Sequence, residues 1–199
     1  MKKNKFSTIL TILVMLYLAS YITSRLITNN SMGDKIAVIY IKGAIGSEST
    51  GIPFQRTGVT SKKIVEYIQD ANENKNVKGI LLDINSPGGT VVASREIAEA
   101  VKNSEKPVVA YINEIGTSGA YWVASASDKI VADPLSITGS IGVIAGYLEF
   151  SDLFKKYGLT YESLKAGSYK DVGSPFKKLT GEERDILQGK LDLIHKRFI

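Results

Sequence analysis

From Lys35 to the end of the chain, brief β-branched runs alternate with longer amphipathic stretches, and no segment repeats another. That alternation confines the chain to an α/β fold, in which strands lacking a polar face lie in a parallel sheet covered by helices. The strand candidates are Ile36 to Ile41 (IAVIYI), Gly79 to Ile84 (GILLDI), Pro107 to Ile112 (PVVAYI), Lys129 to Ala132 (KIVA) and Leu159 to Leu164 (LTYESL). Helices are expected over Thr60 to Asn72, Thr90 to Asn103, Thr117 to Ser127, Glu149 to Tyr157 and Gly181 to Phe198. In the second of these, Val91, Ala93, Ile97, Ala98 and Val101 recur at roughly helical spacing and can face the sheet. Gly43 to Gly58, rich in Gly and Ser, reads as a surface loop. With 199 residues, 44% of them hydrophobic, one domain of ordinary size can bury a core.

Ahead of that region, Phe6 to Ile22 (FSTILTILVMLYLASYI) carries no charge. At ~1.5 Å rise per residue, about 17 to 20 such residues just span a ~30 Å hydrocarbon layer. Residues 1–28 are therefore expected to form a membrane anchor in contact with lipid, and residues 29–34 a polar linker. Lys2, Lys3 and Lys5 precede the run, which favours a cytoplasmic N-terminus and sends everything after Arg25 across the membrane. A cleaved secretory signal is the alternative. Leu18-Ala19-Ser20 is only a fair small-residue site and the run is long for a signal peptide, so an uncleaved anchor is preferred. Either reading places residues 35–199 outside the cytoplasm.

Residue counts exclude several kinds of chemistry. The formal charge is +5, and three of those charges are the N-terminal lysines, so no basic stripe remains to track nucleic-acid phosphates. There are no cysteines, which removes disulfides, thiolate catalysis and cysteine-ligated metal. The only histidine, His195, lies in a terminal helix and reads as a surface residue. A Ser-His-Asp triad, a Cys-His pair and a multi-histidine zinc site thus all lack their imidazole. No metal or organic cofactor is expected.

Two loops follow apolar strands and open helices, the position at which open α/β sheets hold their ligands. Asn85-Ser86-Pro87-Gly88-Gly89-Thr90 follows GILLDI, and its paired glycines let backbone N–H groups approach a substrate. It can equally be a plain turn before a helix. Asn113 to Ala120 follows PVVAYI and contains Thr117-Ser118-Gly119, where small neighbours would expose a serine hydroxyl as in a nucleophile elbow. An ordinary helix-capping serine is the competing interpretation.

The ordered set SPGGTV (86 to 91), TSGAYWVASASDKIVADP (117 to 134), TGSIGV (138 to 143) and GSYKDVGSPFKKLTGEER (167 to 184) resembles the signal peptide peptidase A family of bacterial membrane serine peptidases. The resemblance runs from about Lys35 to the last residue. It implies a Clp protease or crotonase-like parallel α/β core built of strand-strand-helix turns. It also implies a Ser/Lys dyad: a nucleophile at Ser118, a general base at Lys170, and a supporting serine at Ser140 that hydrogen-bonds the lysine. Peptides, remnant signal peptides among them, are the implied substrates. Members of the family continue beyond Ile199, adding a strand, a helix and subunit contacts, so a homo-oligomer is expected of the full-length protein.

The residue chemistry runs parallel to that transfer. Without histidine, a neutral lysine is the remaining base able to take a serine proton near neutral pH. A free lysine titrates near ~10.4, and reaching ~7 means destabilising its charged form by roughly 4 kcal/mol, which burial can supply. A carboxylate in contact would cancel that, so the side chain of Asp171 should point away from Lys170. In the expected mechanism, Ser118 attacks a peptide carbonyl, Lys170 takes the proton, and N–H groups of Gly88 and Gly89, with Gly119, hold the oxyanion. Ser125 and Ser127 lack glycines to expose them. Asp83 and Glu114 read as capping or orienting groups, and Tyr121 and Trp122 as packing residues. Two other readings are a crotonase-type acyl-CoA enzyme and a catalytically silent membrane scaffold that keeps the fold for binding.

Overall fold

The computed structural model describes residues 3–29, 33–47 and 58–199. The uncharged run lies in a 27-residue helix, α1 (Lys3–Asn29), whose window Ser7–Ser24 is long and apolar enough to cross a membrane and is not buried against the rest of the chain. This helix continues through Asn29, so it takes in the start of the polar stretch expected as linker.

Beyond it the chain forms a parallel sheet. Strands β1 (Lys35–Lys42), β4 (Val77–Ser86), β5 (Val108–Thr117) and β6 (Lys129–Ala132) lie in that order, and β7 (Ile137–Gly139) pairs with the end of β5. All these pairings are parallel. Between them run α2 (Ser61–Glu73), α3 (Val91–Lys102) and α4 (Gly119–Ser125). A two-stranded parallel pair, β2 (Ile45–Gly46) with β3 (Val59–Thr60), closes the ends of the segment read as a surface loop. Residues 48–57 of that segment lie outside the described residues.

The core sits on one face of the sheet. Ile39 and Ile41 of β1, Ile80, Leu82 and Ile84 of β4, and Val108, Ala110 and Ile112 of β5 are all buried. They meet Ile64, Ile68 and Ala71 of α2, Ala93, Ile97 and Val101 of α3, and Ala120, Val123 and Ala124 of α4. Burying one such Ile or Leu side chain contributes about 1.5–3 kcal/mol. The other face is more open than strands apolar on both sides would suggest. Val38 and Tyr40 are exposed there, and Leu81 and Tyr111 are half-buried. Of the residues expected to face inward on α3, Val91 is only half-buried; Ser94 is buried beside Ala93 instead.

Helix starts follow their capping chemistry. Thr60 accepts from Lys63 N at 3.4 Å to cap α2, and the Ser61 hydroxyl donates to Glu96 at 2.6 Å, tying α2 to α3. At the last helix, α6 (Gly181–Phe198), Thr180 and Glu183 form a reciprocal capping box. His195 is exposed in the last turn of α6, as a surface residue should be.

The strand expected over Leu159 to Leu164 does not form. Its period-two pattern needs a neighbouring strand to pair with, and none of the described segments supplies one. Tyr161 instead packs its ring on Phe176 with centroids 4.5 Å apart, and Phe154 of α5 (Ser151–Lys156) meets the same ring at 5.3 Å.

Candidate active site

The ends of β4 and β5 lie side by side, with Ser86 paired to Gly116, so the turns that follow them face each other. After β4 the chain turns through Pro87, Gly88 and Gly89 into α3. Gly88 has φ +92°, a conformation that favours glycine. The turn is fixed from outside by β2: Ile45 N donates to Gly88 O, and Thr90 N donates to Ile45 O, both at 2.9 Å. A Cβ on Gly89 would lie 1.9 Å from the Ile45 carbonyl oxygen, so this position admits no larger side chain without breaking that clamp.

After β5 the chain turns at Ser118, which has φ 53° and ψ −125°. A non-glycine residue in that region costs on the order of 1–3 kcal/mol and persists only where its surroundings impose it. Here they do: Ser118 N donates to Gly139 O at 2.8 Å, and Trp122 N donates to Ser118 O at 3.0 Å. Among the described residues the only other non-glycine at positive φ is Ser140, also at 53°. The parallel register pairs Thr117 with Gly139, which brings the Ser118 and Ser140 turns together at one end of the sheet. Strand β5 therefore extends five residues past Ile112, where the sequence suggested that it stopped, and β7 was not expected at all.

The Gly88 turn packs directly on the nucleophile candidate. A Cβ on Gly88 would lie 2.6 Å from Gly119 N and 3.0 Å from Ser118 Cβ. The expected trio of oxyanion donors divides at this point. Gly88 N–H already donates to the buried Ser86 hydroxyl at 3.1 Å, which fixes the turn and takes that donor out of use. The N–H groups of Gly89 and Gly119 have no acceptor among the described residues. Ser118 is half-buried, and its hydroxyl is likewise free of any partner among them.

Lys170 lies in an exposed turn, held by its backbone N–H to Gly167 O at 3.3 Å. No hydrogen bond among the described residues joins its amine to Ser118 or Ser140, so the three expected side chains are not linked by hydrogen bonds in this structure. The enclosing burial that a neutral lysine calls for is not present around it. Asp171 does turn to other partners: its Oδ1 accepts from Lys165 at 2.6 Å and lies 3.0 Å from Lys177 Nζ. Lys177 in turn pairs with Glu183, the buried carboxylate of the α6 capping box.

Lys165, then Lys177, hydrogen-bond the Asp171 carboxylate and hold its pKa at about 2, against an ordinary value of 3.8. A carboxylate depressed in the folded state stabilises the fold above its ordinary value and loses that contribution as pH falls through the folded one. Acidification from 3.8 towards about 2 should therefore release the Lys165–Glu183 segment ahead of the sheet. Amide exchange should rise there first, with Asp171→Asn showing the same loosening at neutral pH. Simultaneous loss of protection across β4 and β5 would contradict it.

The remaining polar candidates are accounted for by local structure. Ser125 donates to Trp122 O at 2.8 Å and Ser127 to Ala124 O at 2.6 Å, so both hydroxyls serve their own helix. Asp83 pairs with Lys42 at 3.4 Å, and Glu114 is exposed. Trp122 stacks on Phe198 with centroids 5.0 Å apart. A cavity of about 830 Å³ lies away from this site between β1 and α2, lined by Val38, Tyr40, Lys63 and Tyr67 among others. Its lining includes no serine. Among the described residues no group of carboxylates and histidine could hold a metal ion.

Residues 100–199 match the family model of peptidase family S49, and residues 52–133 match that of Clp protease. MJ0651 of Methanocaldococcus jannaschii, provisionally named a protease, is 38% identical over 172 residues, covering 84% of this chain and 55% of that protein. A provisionally named signal peptide peptidase SppA of Enterococcus faecium is 32% identical over 186 residues, covering 92% and 54%. Protease 4 of Salmonella typhi is 34% identical over 185 residues, covering 90% and 29%. The chain thus spans about half the length, or less, of the curated relatives it matches. A solved structure of a mutant 1510-N membrane-bound stomatin-specific protease with a substrate peptide is similar at 24% identity and TM-score 0.48, over 58% of this chain and 49% of that one.

Proposed function

This chain belongs to peptidase family S49, the signal peptide peptidase A family, and from that premise we propose that it is the Ser118-bearing part of a membrane-anchored serine endopeptidase. The observation that carries the reading is the conformation of Ser118. It is held at positive φ between two glycine turns, and the unused N–H groups of Gly89 and Gly119 lie beside it. A carbonyl oxygen entering between those donors would leave its carbon open to the Ser118 hydroxyl. As the tetrahedral adduct forms, both donors stabilise the charge that develops on oxygen, each contributing on the order of a hundredfold or more in turnover.

Lys170 is the proposed base. The neighbouring carboxylate, Asp171, is engaged by Lys165 and Lys177, which leaves the Lys170 amine without a carboxylate to pin its charge. Bringing that amine to Ser118 requires the exposed Lys170 turn to close over the sheet end, with Ser140 beside the nucleophile as its hydrogen-bond partner. Closure would also supply the burial that the turn lacks. Assembly with further copies of the full-length protein is a natural way to achieve it.

Helix α1 serves as the anchor, with the N-terminal lysines on the cytoplasmic side and the sheet on the other. Peptides released into or beside the membrane, remnant signal peptides in particular, are the substrates this placement favours. Incubating the full-length protein with a fluorophosphonate probe and mapping the adduct by mass spectrometry tests the reading. Modification is expected at Ser118. An unmodified protein would point instead to a silent scaffold that keeps the fold for binding.

A further inference from the structure

Ser94 is the one hydroxyl in the inward stripe of α3, 1% exposed, and its Oγ has no hydrogen-bond partner among the described residues. Burying an unsatisfied hydroxyl costs stability, so its persistence calls for a use. The side chain lies against the nucleophile turn: a Cβ on Gly119 would sit 2.1 Å from Ser94 Oγ and 3.4 Å from Gly89 N. A cavity of about 20 Å³ opens at this point, lined by Gly89, Ser94, Ser118 and Gly119 together with Val91 and Trp122. That is room for a single water, which needs roughly 10–15 Å³ and two to four polar partners. The free N–H groups of Gly89 and Gly119 and the hydroxyls of Ser94 and Ser118 are such partners.

We propose that Ser94 is a further catalytic residue, whose hydroxyl donates a third hydrogen bond to the oxygen occupying the site between Gly89 N–H and Gly119 N–H. The inference rests on the serine peptidase reading above. At rest that oxygen is one ordered water; during attack it is the carbonyl oxygen of the substrate. As the bond from Ser118 Oγ to the carbonyl carbon forms, the carbonyl π pair moves onto oxygen and the Ser118 proton passes to Lys170. Ser94 keeps its own proton throughout and contributes only a hydrogen bond.

The test compares wild type, Ser94→Ala and Ser118→Ala of the full-length protein in detergent. Fluorophosphonate labelling rate, peptide kcat and KM, inhibition by a peptide aldehyde, and melting temperature are measured for each. Ser94→Ala is expected to melt close to the wild-type temperature, because at rest the hydroxyl bonds only to that water. Its kcat should fall about tenfold to a hundredfold with KM nearly unchanged, and aldehyde affinity should fall by a similar factor. A lower melting temperature with kcat and KM changing together would show Ser94 to be a packing residue and overturn the proposal. Wild-type labelling and turnover by Ser94→Ala, with neither by Ser118→Ala, would overturn it while leaving the peptidase reading intact. No labelling of the wild type would overturn both.

Discussion

Replacing Ser118 with alanine should abolish covalent labelling and lower peptide turnover at least about a thousandfold, with little change in melting temperature. The size follows from losing the attacking atom: removing a serine nucleophile costs roughly a millionfold in a well-studied serine protease, and residual rate there comes from binding and the oxyanion donors. A thousandfold corresponds to about 4 kcal/mol of lost transition-state stabilisation. The fold should survive because the side chain is half-buried and makes no hydrogen bond among the described residues. Backbone conformation sets the more demanding comparison. At φ 53° alanine keeps the strain of the native turn, whereas glycine relieves it. Ser118→Gly should therefore be as inactive as Ser118→Ala yet at least as stable as wild type. If Ser118→Ala retained substantial turnover, the nucleophile would have to be sought elsewhere, and the buried Ser86 and Ser94 would be next in line.

Much of this arrangement was legible in the sequence because two signals coincide. GILLDI and PVVAYI are too apolar for surface strands, and each runs into a glycine-bearing turn before an amphipathic helix. Strand β4, the start of β5 and helices α2 and α3 lie close to their expected positions. What could not be read was pairing. Nothing local announces that Ile137–Gly139 will lie beside Ile115–Thr117, because that register depends on a chain reversal some twenty residues long. The same limit produced the opposite error at Leu159 to Leu164, where an alternating pattern found no strand to join. Ser94 was open to detection, as a lone serine at an inward position of an otherwise apolar stripe, but burial without a partner is a property only of the folded chain. Gly88 shows the converse. Its glycine pair was a sound reason to expect close backbone approach, yet which of the two N–H groups remains free was decided by the Ser86 hydroxyl two residues away.

The base is the hardest part to infer from one fold, and its replacement gives the second large effect. Lys170→Ala should lower acylation and turnover of the full-length protein by about a thousandfold or more, since an unassisted serine hydroxyl is a weak nucleophile. Arginine separates the possible causes. If Lys170 acts by its positive charge, orienting substrate or steadying the oxyanion, Lys170→Arg keeps that charge and should keep much of the activity. If Lys170 takes the serine proton, arginine stays protonated at any usable pH and should be as inactive as alanine. Small primary amines added to Lys170→Ala should then restore part of the rate, while guanidine should not. Neither substitution should lower the melting temperature by much, because Lys170 is exposed and its amine has no partner among the described residues. The neighbouring ion pairs supply the control. Lys177 is tied to Glu183 and Asp171, so Lys177→Ala should loosen the start of α6 without removing proton transfer from Ser118. Retention of wild-type acylation in Lys170→Arg would show that the amine is not the base, and Lys165 and Lys177, which lie on either side of it in the sequence and pair with Asp171, would be tested next.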